Sequence, residues 1–364
     1  MMDFAVPAPQ SLVARALAKR RARAVGTLLG TSLLLLSAVL LSASNGALPI
    51  SPRDTWAAIV AGLRGHAGAL EGTGAIVWNL RLPRVLMAVL VGASLGTSGG
   101  AMQGLFRNPL ADPFLLGAAS GAAFGATVAV TWGGQLSATF TDVPFAPGSV
   151  SGFVPLFSFL GALGAVSVTV VLARAGGRSR TTALLLAGVV VGAVLVSLTC
   201  YLWLRDQDRM RAVFSWTQGN LALSKWSDLG RALPYAAVGV GILFALARGL
   251  DALQLGEDTA RTLGMNVPLL RFGVIVGASL ATASAVAFVG MIGFVGLVAP
   301  HVMRRIGTPN HRVLLPASAL AGATLLVVAD VGARTLIRPA ELPVGIVTSV
   351  VGGPLFLWLL WRER

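Results

Sequence analysis

The chain has 364 residues, 55% of them hydrophobic and only 12% charged, and its mean hydropathy is +0.79. A soluble domain carries roughly a quarter charged residues, so the composition excludes soluble enzymes and nucleic-acid-binding domains. It reads as an all-α polytopic membrane protein, in which the net charge of +14 has no soluble basic domain to offer nucleic acid.

Residues 1–24 form a basic tail holding Arg15, Lys19, Arg20, Arg21 and Arg23. The apolar run at 25–43 follows. Its Arg-rich start and the Ser42-Ala43-Ser44 end imitate a cleavable signal. A hydrocarbon core needs about 20 apolar residues per helix, and this run is long enough, so it reads as a retained first span. Further runs lie at 85–106, 114–133, 153–173, 183–204, 233–247, 313–332 and 342–361. The stretch 272–303 contains no Asp, Glu, Lys or Arg. As one helix it would be roughly 48 Å long, beyond one crossing. Gly290, Gly293, Gly296 and Pro300 offer places to break it, so it reads as two spans joined by a very short turn. The expectation is ten helices over 25–361, with 362–364 as the end and both termini on one side. Gly92-Ala93-Ser94-Leu95 recurs as Gly277-Ala278-Ser279-Leu280, which suggests two five-helix halves in register. The 44 glycines fit close helix packing in lipid. All but Lys19 and Lys225 of the 28 basic residues are Arg. Most fall on the side of the termini, which the positive-inside rule places in the cytoplasm; the expected location is a bacterial inner membrane.

Cys200, the single cysteine, lies inside an apolar run and excludes an intrachain disulfide or a cysteine metal cluster. No G-x-x-x-x-G-K-[ST] occurs, so the chain has no P-loop of its own. H-E-x-x-H and C-x-x-C-H are also absent. Ionisable residues within spans mark ion relays, and here only Asp330 lies near a span end. That argues against a proton- or sodium-coupled carrier and leaves a partner as the energy source, or passive transport.

Gln254 to Val267 is a polar island between apolar runs. Gly256 interrupts it, and Glu257 and Asp258 stand where a short helix would begin. Gly264 ends that helix, and Pro268 opens the next run. Such a segment suits docking of another protein at the membrane surface. Gln103 to Gly117, with Pro109 and Pro113, reads as a cytoplasmic turn. Either it is a rigid hairpin, or Asn108 and Leu110 stand at the inner mouth of a pore. Thr181 and Thr182 open the fifth span, as caps or as further gate residues. Arg81 and Arg84 stand at the outer end of the second span, Arg334 and Arg338 at that of the ninth. They are either snorkelling side chains or a cationic rim for carboxylates of an outside partner. His301 reads as a packed helix-end residue. His66 and His311 lie in loops without recognisable context.

The segments RLPR at 81–84, MQGLFRNPLADPFLLG at 102–117, LLLAG at 184–188, WTQGNL at 216–221, LGEDTARTLGMNV at 255–267, GFVGLVAPHVMRR at 293–305 and RPAELPVGIVTSVVGGPLFLWLL at 338–360 resemble the FecCD family. These are membrane permeases of ABC importers for iron-siderophores, haem and cobalamin. The resemblance covers about 25–361; the tail at 1–24 and the stretch near 132–152 look individual. It implies a homodimer of ten-helix, type II importer subunits, with two ATPase subunits inside and a substrate-binding protein outside. ATP and Mg would sit on the partner ATPase, and this chain would bind no cofactor or metal. Residues 255–267 would be the coupling segment, with Leu255, Gly256, Glu257, Asp258, Ala260, Arg261, Leu263 and Gly264 as its contacts. Haem is the leading cargo, ahead of siderophores and cobalamin, with Arg209 and Arg211 either guiding haem propionates or anchoring at the interface. Readings from other classes are a secondary carrier or facilitator for a small hydrophobic solute, and a membrane scaffold.

Overall fold

The computed structural model describes residues 9–46, 48–139, 150–175, 180–205, 213–307, 309–337 and 340–361. The described residues are almost wholly helical. Ten helices make the bundle: α1 (Pro9–Ser44), α4 (Leu82–Phe106), α5 (Ala118–Thr139), α6 (Val150–Ala175), α7 (Arg180–Arg205), α8 (Trp226–Ala245), α11 (Val267–Val289), α12 (Val295–Ile306), α13 (His311–Thr335) and α14 (Val344–Trp361). Shorter helices lie between them, among them α2 (Pro52–Ala61) and α3 (Gly72–Ile76) at one end and α9 (Ala247–Gln254) and α10 (Glu257–Thr262) at the other. Seven of the described helical stretches are long and apolar enough to cross a membrane.

From Pro9 onward the basic tail is continuous with the first span. α1 begins at Pro9 and runs unbroken to Ser44, because the Ala-, Leu- and Arg-rich sequence before residue 25 is made of strong helix formers.

Small residues set how closely the helices approach. A Cβ on Gly92 would lie 2.4 Å from the Gly322 carbonyl, and one on Gly96 2.2 Å from the Ser318 carbonyl, so α4 and α13 touch backbone to backbone. Gly99 meets α12 in the same way, with the Gly296 carbonyl 1.8 Å from where its Cβ would be. Gly121 and Gly125 of α5 lie against the Gly161 and Phe157 carbonyls of α6. The repeated Gly92 and Gly277 fall in the second and seventh spans, and Gly277 likewise faces the Gly239 carbonyl of α8.

The apolar stretch 272–303 breaks between α11 and α12, as its length requires. Gly290 caps α11 with φ +77° and ψ −166°. Phe294 opens α12 in the left-handed region, φ +66°, and lies against Gly352 and Gly353 of α14. Gly296 and Pro300 stay inside α12, Gly296 as a packing residue. With 12 residues α12 is about 18 Å long, too short to span alone. The coil at 290–294 therefore sits within the bilayer's depth, which is tolerated only where protein covers it. The Asn220 amide bonds the Val289 carbonyl at 2.7 Å, and the Trp216 carbonyl fills the space beside Gly290.

Candidate functional site: a docking end, a climbing loop and a buried arginine cluster

α9 and α10 close one end of the bundle. α9 buries Leu250 and Leu253 in the main core, and Gly249 lets it press against Leu270 of α11. Gly256 turns the chain at φ +110°, a conformation only glycine adopts freely. Glu257 and Asp258 then occupy the first turn of α10 and Arg261 the last, each sign at the helix end that favours it. Arg261 reaches back to Glu257 at 3.7 Å and Asp258 at 3.8 Å. Glu257 also ion-pairs with Arg271 of α11. Gly264 follows at φ +79° in open space, and the Asn266 side chain accepts the Leu269 amide to start α11. Leu255 and Leu263, 67% and 65% exposed, flank α10. Ala260 differs from the expectation: it is fully buried in the core. It seats α10 on the bundle and offers no surface to a partner.

Two polar contacts tie this end to other spans. Gln254 Nε2 donates to the Gly104 carbonyl at 2.7 Å, in the last turn of α4. Asp251 Oδ1 accepts the His311 amide at 2.6 Å and lies 2.8 Å from that ring's Nδ1. His311 is therefore the buried start of α13 and not a loop residue.

α4 ends at Arg107, in the left-handed region with φ 51° and ψ 37°. Asn108 Oδ1 accepts the Leu110 amide at 2.9 Å, and Asp112 Oδ1 accepts the Phe114 amide at 2.8 Å. A 3-10 turn over Pro113–Leu116 follows, closed by Gly117 at φ +86°. This segment is not a simple turn outside the bundle. The Thr169 hydroxyl donates to the Leu116 carbonyl at 3.0 Å, and the Leu115 carbonyl sits where a Cβ of Gly188 would be. Thr169 and Gly188 lie roughly 9–12 Å inside the ends of α6 and α7, so 107–117 climbs into the bundle. Two prolines that cannot donate, and side chains that satisfy their own backbone, make such a course possible. Asn108 and Leu110 remain at its foot, with Leu110 46% exposed. Thr182 is exposed in the first turn of α7; the Thr181 side chain lies outside the described residues. No hydrogen bond joins Thr182 to Asn108 or Leu110.

The arginines at the opposite end do not form an exposed rim. Arg81, Arg84 and Arg334 are 7%, 8% and 7% exposed. Arg84 sets Nε and Nη2 each 2.9 Å from Asp330 Oδ1, and Nη1 2.8 Å from Glu341. Arg334 Nε lies 3.1 Å from Asp330 Oδ2. Its other nitrogens donate to the Ser42 hydroxyl at 2.6 Å and the Asn45 carbonyl at 2.9 Å. Arg81 donates to the carbonyls of Ala43, Ser44 and Leu48. The cluster binds the ends of α1, α4 and α13, because a buried guanidinium must find acceptors. Arg338, Arg209 and Arg211 lie outside the described residues.

The FecCD transport family model matches residues 33–362. The chain belongs to the FecCD transport family. The hemin transport system permease of Yersinia pestis is 40% identical over 350 residues, covering 93% of this chain and 96% of that protein. The cobalamin import system permease of Halobacterium salinarum is 38% identical over 297 residues, covering 82% and 76%. A metal-chelate type ABC transporter solved in an inward-facing conformation superposes with a TM-score of 0.76 at 30% identity, covering 92% and 98%. This FecCD chain is thus a multi-pass membrane permease of an ABC transporter, and ATP hydrolysis belongs to a separate ATPase.

Proposed function

We propose that this FecCD permease forms the pathway of an ATP-driven importer for a large iron chelate of the haem type. In this reading two copies enclose the pathway and two ATPase subunits dock at the α9–α10 end in the cytoplasm. A soluble binding protein meets the opposite end. The membrane is the bacterial inner membrane, with both termini cytoplasmic. Asn108, Leu110, Thr181 and Thr182 close the inner mouth around the dimer axis. With Arg81, Arg84 and Arg334 buried, exposed cations at this end among the described residues include Arg53, Arg64, Arg205 and Lys225, which would meet a binding protein.

The observation that carries the reading is the pair Leu255 and Leu263. Two large apolar side chains stand exposed beside a charged helix that is latched to α11, just after α9 is latched to α4. Exposed apolar surface of this kind marks a protein contact. Leu255→Asp combined with Leu263→Asp should lower co-purification of the ATPase at least tenfold, while insertion of the permease persists. Unchanged co-purification overturns the docking role. Cargo is tested by uptake into proteoliposomes holding permease, ATPase and cognate binding protein, offered hemin, a ferric siderophore and cobalamin in parallel. Uptake of one of the other two alone overturns haem but not the importer; uptake without ATPase favours a facilitator.

Gln254 has a separable role in this mechanism. Its bond to Gly104 links the docking end to the helix that feeds the 107–117 loop. Removing this part-buried hydrogen bond costs about 1 kcal/mol. Gln254→Leu should therefore keep the ATPase bound and active while transport per ATP falls roughly fivefold. Equal stoichiometry in variant and wild type would remove Gln254 from the coupling path.

A further inference from the structure

Where α8 gives way to α9, a groove of about 400 Å³ opens beside the start of α13. Its apolar wall is Phe244, Ala245, Ala247 and Pro316; its polar edge is Arg248, Arg312 and the buried His311. Phe244 and Ala245 end the α8 span, and Pro316 lies in the second turn of α13. The wall thus sits at the depth where hydrocarbon yields to headgroups, with both arginines just beyond it. Both are exposed, and among the described residues neither has an ion-pair partner. Asp251, three residues from Arg248, is already taken up by His311. Two unpaired guanidiniums therefore face one another's neighbourhood across an apolar trough at the membrane boundary.

The ligand that matches this combination carries negative charge at one end and hydrocarbon at the other. We infer that the groove binds an anionic phospholipid of the cytoplasmic leaflet, its phosphate between Arg248 and Arg312 and an acyl chain along Phe244 and Pro316. The guanidinium fork matches phosphate oxygens, and basic pockets between spans on the cytoplasmic side hold anionic headgroups. A free phosphate or an acidic side chain of a docked protein would use the arginines but leave the apolar wall without purpose. The assignment of leaflet rests on the orientation proposed above; the site itself does not.

The test uses the permease purified with its ATPase in nanodiscs of phosphatidylglycerol mixed with phosphatidylcholine, followed by native mass spectrometry of retained lipid. Wild type should retain phosphatidylglycerol. Arg248→Gln with Arg312→Gln should retain it about 30-fold less, and Arg248→Lys with Arg312→Lys should recover most of it. Unchanged melting in pure phosphatidylcholine shows that the Gln variant is folded; if it is not, the single Gln variants carry the comparison. Equal retention in wild type and Gln variants overturns the inference. Displacement of the lipid by millimolar inorganic phosphate also overturns it, by making phosphate the ligand. So does retained lipid with loss of the ATPase, which gives the arginines to the partner protein. Lipid retention needs no transport, so a complex that keeps the lipid but imports nothing counts against the importer alone.

Discussion

Asp330→Asn should lower the stability of the permease by roughly 3–5 kcal/mol. The substitution barely changes shape, yet it removes the one charge between Arg84 and Arg334. Asp330 is fully buried, and its two oxygens face the two guanidiniums at 2.9 and 3.1 Å. Both cations would then remain out of water, with only Glu341, the Ser42 hydroxyl and backbone carbonyls to hold them. Breaking a buried pair by removing one partner is the costly direction; exchanging the whole set for apolar residues is cheaper. Arg84→Met, Asp330→Leu and Arg334→Met together should therefore be less damaging than Asp330→Asn alone. Thermal or SDS unfolding of purified protein measures both. An Asn variant as stable as wild type would mean that the cluster does not hold the bundle, and would restore the arginines to a docking role.

Gly99→Ala is the second large effect, at about 3 kcal/mol or more. The new methyl would meet the Gly296 carbonyl at 1.8 Å. Because the obstacle is backbone, no rotamer change relieves it, and α4 must move away from α12. Gly164→Ala in α6 is the control: nothing lies within 4 Å of its Cβ position, so it should be neutral or slightly stabilising. Comparable losses in both variants would show that helix propensity, and not the close crossing, governs these positions.

Both effects show what sequence could and could not supply. The spans, the break in 272–303 and the helix after Gly256 are written in local pattern: apolar length, charge punctuation, and glycine where the backbone turns. The resemblance to FecCD permeases rests on such local segments too. The cluster is not local. Arg84 finds Asp330 and Glu341 at separations of 246 and 257 residues, and nothing near Arg84 announces either acid. Arg334 offers a weak signal, since it follows Asp330 by one helical turn. His311 was illegible for the same reason, its partner Asp251 being 60 residues away. The climb of 107–117 depends on Gly188 and Thr169 in other helices. Ala260 could not be sorted from its exposed neighbours because a six-residue helix has too little period to reveal a face.

The long separation of Arg84 from its acids has a consequence for biosynthesis. A ribosome adding about 5–20 residues per second needs roughly 12–50 s to travel from Arg84 to Asp330. Throughout that interval the second span carries a cation whose counter-charge does not yet exist. That end must wait near water and headgroups, and it can settle to its final depth only when the ninth span arrives. The last long span made thus completes one of the first, and a nascent chain cut short before residue 330 leaves the start of α4 unfinished.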